Sequence, residues 1–501
     1  MNIPLSAKLR NYRATTFYSF LGLFFLLCII ACCHTHKPLH NVTATVDASI
    51  EYQTIDGWGI THYIVWNWEG PDRYPIPEQD VMKQIKNDLR IDYIRNYWLV
   101  FTYEQENDDS DPYHFNWDYY NSQFNPYAYV FQRLRDQQNA NLQYELVVAD
   151  TKPAWMCDEN GRFDSSIPHV YEELAEFFAA ILIYARNNYG LNIPYIAIEG
   201  EPSYKMQRKG ATGFTPIQLK HAITVIGARL RKEGLTTKIV APDDFTAAST
   251  KTMCLTILPD TLATRYMASI AYHAYDSKSG VNGPDVTISA MKDLADSDVV
   301  KTSGLPLWLT EWAFSHAYGD RMRDHVDELR FALDFVKMVY NAHVYANTSL
   351  YVIWSTTYDW GYDADNNGKI ENEGIFGPGF TDGRLSLKKY GHALGQYTKY
   401  IRPGSKRISA RLDGASNVFI TAYKDMKNGI FTMVCINRNR YKLDLTVTVD
   451  GIPGLTSLKI MRTSQTEDGV EVGTISMIEN IFAVHLPDSS VTTFLGHFTT
   501  H

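Results

Sequence analysis

Ile196-Ala197-Ile198-Glu199-Gly200-Glu201-Pro202 is a short apolar run that stops at two glutamates and a proline. Leu307-Trp308-Leu309-Thr310-Glu311-Trp312 ends the same way, and its Glu311 lies 110 residues after Glu201. Runs this short, bounded by turn residues, read as buried strands with a carboxylate at the C-terminal end. Two more runs, Lys238–Ala241 and Ile270–His273, fall between them. That makes three strand-plus-helix units of roughly 37 residues each, close to the usual size in a closed (β/α)8 barrel.

Outward from this centre the same alternation extends to Ile55–Ile60, Tyr93–Tyr97 and Leu142–Ala149 on one side and Leu350–Trp354 on the other. Tyr195–Ile198 and Leu305–Leu309 complete a set of eight strands. Eight strands alternating with helical patterns favour an α/β fold of the (β/α)8 TIM-barrel type over an open doubly wound sheet, and no Gly-rich phosphate turn follows the first strand. Helix punctuation agrees: Thr215-Pro216 opens a helix that Gly234 stops, and a pattern from Val170 to Asn188 halts at Gly190. A further pattern from Asp324 to about Ala346 carries Leu329, Ala332, Leu333 and Val336 as its inward stripe.

Past Arg402-Pro403-Gly404 the period becomes two. Asn428-Gly429 joins Val418–Tyr423 to Phe431–Ile436, and Asp450-Gly451 breaks the next run, both strong hairpin signals. The expected organisation is a signal segment over 1–31, a linker and strand over 32–53 that joins the later sheet, a barrel over 54–403 and an appended antiparallel β-sandwich over 404–501.

Lys8, Arg10 and Arg13 precede an apolar run from Phe20 to Ile30 that ends at Ala31-Cys32. The stretch is shorter than the ~20 residues a spanning helix needs, so it reads as a secretion signal. Ile29-Ile30-Ala31-Cys32 resembles a bacterial lipobox, which makes Cys32 the expected acylated residue and lipid anchor. The protein is then expected to be exported to the bacterial cell envelope, outer membrane or periplasm, and to meet the membrane only through that anchor. Removing residues 1–31 takes three positive charges and no negative ones from a net charge of −9, leaving −12. An acidic chain without basic clusters argues against nucleic acid as a partner. Of six cysteines only Cys157, Cys254 and Cys435 lie in the body, with no CxxC pair or disulfide framework. Aromatic residues make up 13%, with 10 Trp and 33 Tyr, which suits stacking on sugar faces but also suits a large core.

Glu201 and Glu311, each closing a strand, would meet across the barrel mouth, where such folds carry their reacting groups. Two carboxyl groups flanking one sugar ring are what glycoside hydrolysis requires. One protonates the departing oxygen, and the other attacks carbon directly when they stand about 5–5.5 Å apart. A carbohydrate is therefore the expected partner.

The chain resembles glycoside hydrolase family 30, within the clan of retaining barrels that carry the acid/base after strand four and the nucleophile after strand seven. The resemblance runs through Ile55-Asp56-Gly57-Trp58-Gly59, Pro153-Ala154-Trp155-Met156, Ile198–Tyr204, Ile239-Val240-Ala241-Pro242, His273-Ala274-Tyr275 and Leu307–Trp312. It continues through Tyr390–Tyr397 into Tyr400-Ile401-Arg402-Pro403-Gly404. It implies cleavage of β-glycosidic bonds by double displacement, Glu201 as acid/base and Glu311 as nucleophile, with no organic cofactor or catalytic metal. Family substrates span xylan, β-1,6-glucan, β-1,6-galactan, glucosylceramide and β-fucosides. Two positions depart from the family pattern. Gly200 stands where an Asn binds the sugar 2-hydroxyl, and Glu199 replaces a neutral amide. Gly200 motivates the alternative of a catalytically weak or inactive glycan-binding lipoprotein on the same scaffold; a mannanase or glucanase barrel of the same clan is a third reading, against which the Arg402-Pro403-Gly404 junction argues.

By the same resemblance the substrate-binding candidates are Arg95, Asp150, Trp155, His273, Tyr275, Trp312 and Trp354. Arg95 would hold the nucleophile ionised, or form a structural ion pair. His273 and Tyr275 would orient nucleophile and substrate, although a core histidine fits His273 as well. Trp354 would floor the sugar subsite, and Asp243 and Asp244 would cap the next helix. Loops Tyr63–Tyr74 and Trp98–Trp117 would shape the subsites. Asp363, Asp365 and Asn367 copy the start of a calcium loop, but position twelve is Gly374, so a solvated turn is expected in preference to a noncatalytic calcium site.

Overall fold

The computed structural model describes residues 40–62, 82–98, 104, 106–140, 142–148, 152–208, 211–313, 328–356, 374–378 and 385–500. Cys32, Asp150, the Asp363–Asn367 loop and the Tyr63–Tyr74 loop lie outside the described residues.

The chain enters as one long strand, β1 (His40–Thr54), and then builds the barrel from β2 (Gly57–His62), β3 (Tyr93–Trp98), β4 (Gln143–Val148) and β5 (Tyr195–Ala197). β6 (Lys238–Asp244), β7 (Met267–His273), β8 (Leu307–Glu311) and β9 (Leu350–Ile353) complete it. These eight strands close in sequence order, every pair parallel, with β9 bonded back to β2. Each of the eight apolar runs in the sequence became one barrel strand.

Local chemistry explains the surrounding helices. Thr215 and Gln218 exchange bonds as a capping box, with Pro216 at the first turn of the Pro216–Lys232 helix. Gly190 takes a left-handed conformation to end the Val170–Tyr189 helix. Inside the barrel, Gly59 lets β2 approach its neighbours. A Cβ there would sit 2.7 Å from the Val352 side chain and 3.1 Å from the Tyr93 ring. The lower barrel is filled by Tyr93, Val240, Ala271, Trp308, Leu350 and Val352, and the main apolar core lies between strands and helices.

After a small hairpin of β10 (Phe376–Pro378) and β11 (Leu385–Leu387), the chain forms β12 (Lys406–Asp413), β13 (Val418–Asp425), β14 (Ile430–Asn437) and β15 (Leu443–Asp450). β16 (Ser457–Thr463), β17 (Asp468–Ser476), β18 (Ile481–Leu486) and β19 (Ser490–His497) follow. With β1 they make one hydrogen-bonded sheet in the order β17-β16-β19-β14-β13-β12-β1-β15-β18. It folds over a core of its own, so that Phe482 of β18 meets Phe494 of β19 at 5.1 Å between ring centroids. The sheet is not wholly antiparallel as expected, because β1 pairs parallel with β15 over His40–Asp47. A strand delivered from the other end of the chain is free of the hairpin geometry that forces antiparallel neighbours.

The junction is tied by backbone and side-chain bonds. Ile55 N–H donates to Ser405 O, Gly404 N–H to Ile55 O, and the buried Trp58 indole to Ile401 O, while Arg402 pairs with Asp92. These bonds fix the Arg402-Pro403-Gly404 turn against the foot of the barrel, opposite the mouth that carries the acidic strand ends.

Candidate active site

Glu201 follows β5 and opens the short Pro202–Lys205 helix from a left-handed backbone, φ 59° and ψ 47°. That conformation is uncommon for glutamate and marks a constrained position. Its N–H donates to Asp243 O at 2.8 Å, and Asp244 accepts from Ser203 N–H at 3.0 Å and Ser203 Oγ at 2.6 Å, which pins the turn. Glu311 closes β8 across the mouth and leaves 9% of its side chain exposed, against 18% for Glu201.

Between them stands His273, at the end of β7. Its Nδ1 lies 3.0 Å from Glu201 Oε1 and 3.8 Å from Glu311 Oε1, and its Nε2 is 3.3 Å from Asp243 Oδ1. One oxygen of each glutamate and one His273 nitrogen all lie within 4.8 Å of one another. Arg95, wholly buried in the middle of β3, donates to Glu311 Oε2 at 2.6 Å and to Asp243 Oδ2 at 2.7 Å. Tyr275 OH donates to Glu311 Oε1 at 3.2 Å. One layer down, Glu145 lies 3.8 Å from Arg95 Nε and accepts from Tyr93 OH at 2.8 Å.

The electrostatics follow from this chain of contacts. Burial raises the Glu201 carboxyl above the ordinary range, the His273 bond and charge lower it, and the nearby Glu311 charge raises it further, for a net upward shift. Burial alone would strip His273 of its proton, but the Glu311 and Asp243 charges overrule it and push the imidazole up to about 10. Burial opposes charge on Asp243 too, yet Arg95, His273 and Thr310 hold it well below the carboxylate range. Glu145 is raised by burial to about 7, with Arg95 opposing. Glu201, His273 and Glu311 are close enough to share a divalent ion. A cationic imidazole and the guanidinium on Glu311 work against that use, since ligands must be deprotonated and the ion would meet two positive charges.

Comparison with known proteins places this geometry. No family model matches the sequence. The glucuronoxylanase XynC of Bacillus subtilis (strain 168) is 24% identical over 326 residues, covering 65% of this chain and 66% of that protein, just under two thirds. The family 30 endoxylanase from Clostridium papyrosolvens C71 superposes with a TM-score of 0.69 at 20% identity, over 91% of this chain and 100% of that one. The chain has the fold of glycoside hydrolase family 30. The endo-β-1,6-glucanase BT3312 shares it, with a TM-score of 0.64 at 17% identity over 91% and 94% of the two chains.

On this barrel the candidates separate. Glu201, Glu311, Arg95, His273 and Tyr275 come together in one contact network. Trp354 sits half-buried after β9, and Trp155 sits half-buried with its indole donating to Glu104 O at 3.0 Å. Trp312 is a correction: it is fully buried, its indole donates to Ser279 Oγ at 3.0 Å, and it packs against Phe335. It faces the helix layer and cannot touch substrate. Asp243 and Asp244 are a second correction. The Ala247–Ile257 helix is capped by Thr246, with Asp276 accepting from Ala247 and Ala248 N–H, while Asp243 sits at a bulge of β6 that turns it into the barrel.

Sequence reasoning also missed the answer to Glu199. Its buried carboxylate binds both Lys152 Nζ and Lys205 Nζ, the latter at 2.6 Å, so the departure from a neutral amide is matched by two buried lysines. Charged residues inside apolar strand runs, Arg95 and Glu145 in register with each other, were the available signal for the deeper network. Tyr204, Phe245 and Tyr275 form a half-exposed stack beside Glu201, with centroids 4.5 and 5.3 Å apart.

Proposed function

We propose that the protein is a retaining glycoside hydrolase that cleaves β-glycosidic bonds of a poly- or oligosaccharide by double displacement. The observation that carries this reading is the approach of Glu201 and Glu311 to within 4.8 Å, which suits direct attack and leaves no room for the interposed water of an inverting enzyme. Glu201, whose protonated form burial and the Glu311 charge favour, protonates the glycosidic oxygen. Glu311, held by Arg95 on one oxygen and Tyr275 on the other, attacks the anomeric carbon and forms a glycosyl ester. Having lost its proton to the departing oxygen, Glu201 is a carboxylate, and esterification removes the Glu311 charge that raised it, so it stays ionised and acts as base toward water in the second step. The stacked Tyr204, Phe245 and Tyr275, with Trp155 and Trp354, offer flat faces for sugar rings.

The similarity to xylanases and to a β-1,6-glucanase supports a β-linked polysaccharide of those kinds as substrate. We further propose export and acylation at Cys32; among the described residues no helix is long and apolar enough to cross a membrane. A 2-deoxy-2-fluoro β-glycoside with an activated leaving group tests the mechanism. The expected result is a stable covalent adduct on the peptide carrying Glu311, absent in Glu311→Gln. Intact protein with no adduct on any matched sugar would instead favour a glycan-binding protein.

A further inference from the structure

A cleft of about 410 Å³ opens between the flank of the barrel and one end of the sheet, and none of the reacting groups lines it. Glu328, Arg330, Lys389, Arg438, Arg440 and Ser489 stand on its walls. The Glu328–Tyr345 helix runs from the end of β8 back toward the start of β9, antiparallel to the strands, so its first turn lies toward the mouth end of the flank. On the sheet side, Val418, Asn437 and Ser490 are opposite one another in register, which sets the turns at Asn417, at 438–440 and at Ser489 side by side. The 438–440 turn is fixed from both sides. Arg438 N–H donates to Asn417 O at 2.9 Å, Asn439 Nδ2 to Ser416 O at 2.9 Å, and Ser489 N–H to Asn439 O at 2.9 Å.

The cations of the cleft are of two kinds. Arg438 pairs with buried Asp334 and lies 3.6 Å from Asp285, while Lys389 pairs with Asp468 and donates to Ser464 O at 3.0 Å. Arg330 and Arg440 are exposed, and among the described residues neither makes a hydrogen bond or an ion pair. Glu328, the carboxylate among the described lining residues, accepts from Lys389 N–H at 2.6 Å. A single exposed arginine is ordinary solvated surface. Two that share one concave, polar wall, one of them on a turn locked by hydrogen bonds, present donors placed before any ligand arrives. A guanidinium fork matches a planar carboxylate with two parallel bonds, where an ammonium offers only a point charge. We propose that this cleft is a noncatalytic site for a sugar that carries a carboxylate, a uronic acid unit, with Arg330 and Arg440 as the carboxylate's partners and Asn417, Gln465 and Ser489 as partners for its hydroxyls. The volume falls within the ~300–1,000 Å³ of small-molecule sites, and polar walls suit a sugar better than an apolar ligand. The choice of a sugar rests on the hydrolase reading, because a cleft toward the mouth end of the flank is within reach of a glycan chain that leaves the active site; the binding of an anion does not.

The test titrates the full chain, carrying Glu311→Gln to prevent turnover, with three probes followed by ligand-observed NMR: cellobiouronic acid, its neutral counterpart cellobiose, and inorganic phosphate. The acidic disaccharide is expected to bind at least tenfold more tightly than cellobiose, with the advantage shrinking as salt rises. Arg330→Ala and Arg440→Ala should each cut that advantage at least threefold, and the double variant should abolish it. The thermal midpoint should stay unchanged, since neither side chain holds a partner. With Glu311 intact, the double variant should keep its rate on a short neutral aryl β-glycoside. Failure of both disaccharides to bind at millimolar concentration, equal affinity for the two, or an acid preference that survives the double variant would overturn the proposal. Phosphate binding as tightly as the acidic disaccharide would overturn it as well, leaving a bare anion site. An acid preference lost with the arginines, in a protein whose Glu311 takes no fluoro-glycoside label, would uphold the cleft and sink the hydrolase reading instead.

Discussion

Asp243 joins Arg95, His273 and Thr310 through its two oxygens, and through them it touches both glutamates of the site. The imidazole in that relay is the residue whose removal has the clearest sign. His273 lowers the Glu201 carboxyl by a bond and by charge, so His273→Gln leaves burial and the Glu311 charge opposed by the Lys205 charge alone. The Glu201 carboxyl then rises, and the alkaline limb of the kcat/KM profile should move to higher pH while turnover falls about 100-fold from lost orientation. An alkaline limb that stays in place would show that His273 does not govern the Glu201 proton. Glu201 and Glu311 were legible in the sequence because each acid directly ends an apolar run. Asp243 was not, because a bulge and a positive φ redirect it, and neither leaves a mark in hydrophobic periodicity. Trp312 was misread although strand alternation held the answer: if Glu311 points into the barrel, its successor points out into the helices.

At the scale of elements, all eight barrel strands were readable, since parallel strands buried on both faces show as continuous apolar runs. What the periodicity hid was the loop after β3, whose acidic residues look like solvated surface yet pack against a helix that is itself acidic at its start. The stability of that contact should depend on pH. Glu173, Glu104 and Glu176 are raised in the folded state to about 7, 8 and 9, while the unfolded chain titrates near 4.5. The folded protein therefore binds more protons, and its stability should fall as pH rises from about 4.5 through 9. Asp108, Asp109 and Asp111 add to the repulsion, and Arg229 opposes it. Denaturant midpoints across that window measure the effect, and Glu176→Gln should flatten the slope. A midpoint that climbs toward pH 9 would contradict the shifts and the packing behind them.

For the whole molecule, the decisive element is β1, which the sequence marked only as a strand joining the later sheet. It lies inside the nine-stranded sheet, antiparallel to β12 on one side and parallel to β15 on the other. Val42, Ala44, Val46 and Ala48 all face the sheet core at 3% exposure or less. The two valines alone contribute on the order of 3–6 kcal/mol, a large part of the roughly 5–15 kcal/mol that stabilises a typical domain. Losing β1 would also expose two internal strand edges, on β12 and β15, as sites for aggregation. The sheet in turn holds the barrel, since His343 of the Glu328–Tyr345 helix bonds Tyr423 OH at 2.6 Å and Gln396 O accepts from Thr493 Oγ1 at 2.9 Å. A chain lacking residues 1–39 should therefore keep its thermal midpoint, because every described bond remains. A chain lacking residues 1–54 should be recovered mainly as aggregate, or melt far lower with barrel and sheet unfolding together. Equal midpoints for the two truncations would mean that the sheet closes without its first strand and that the barrel stands without the sheet.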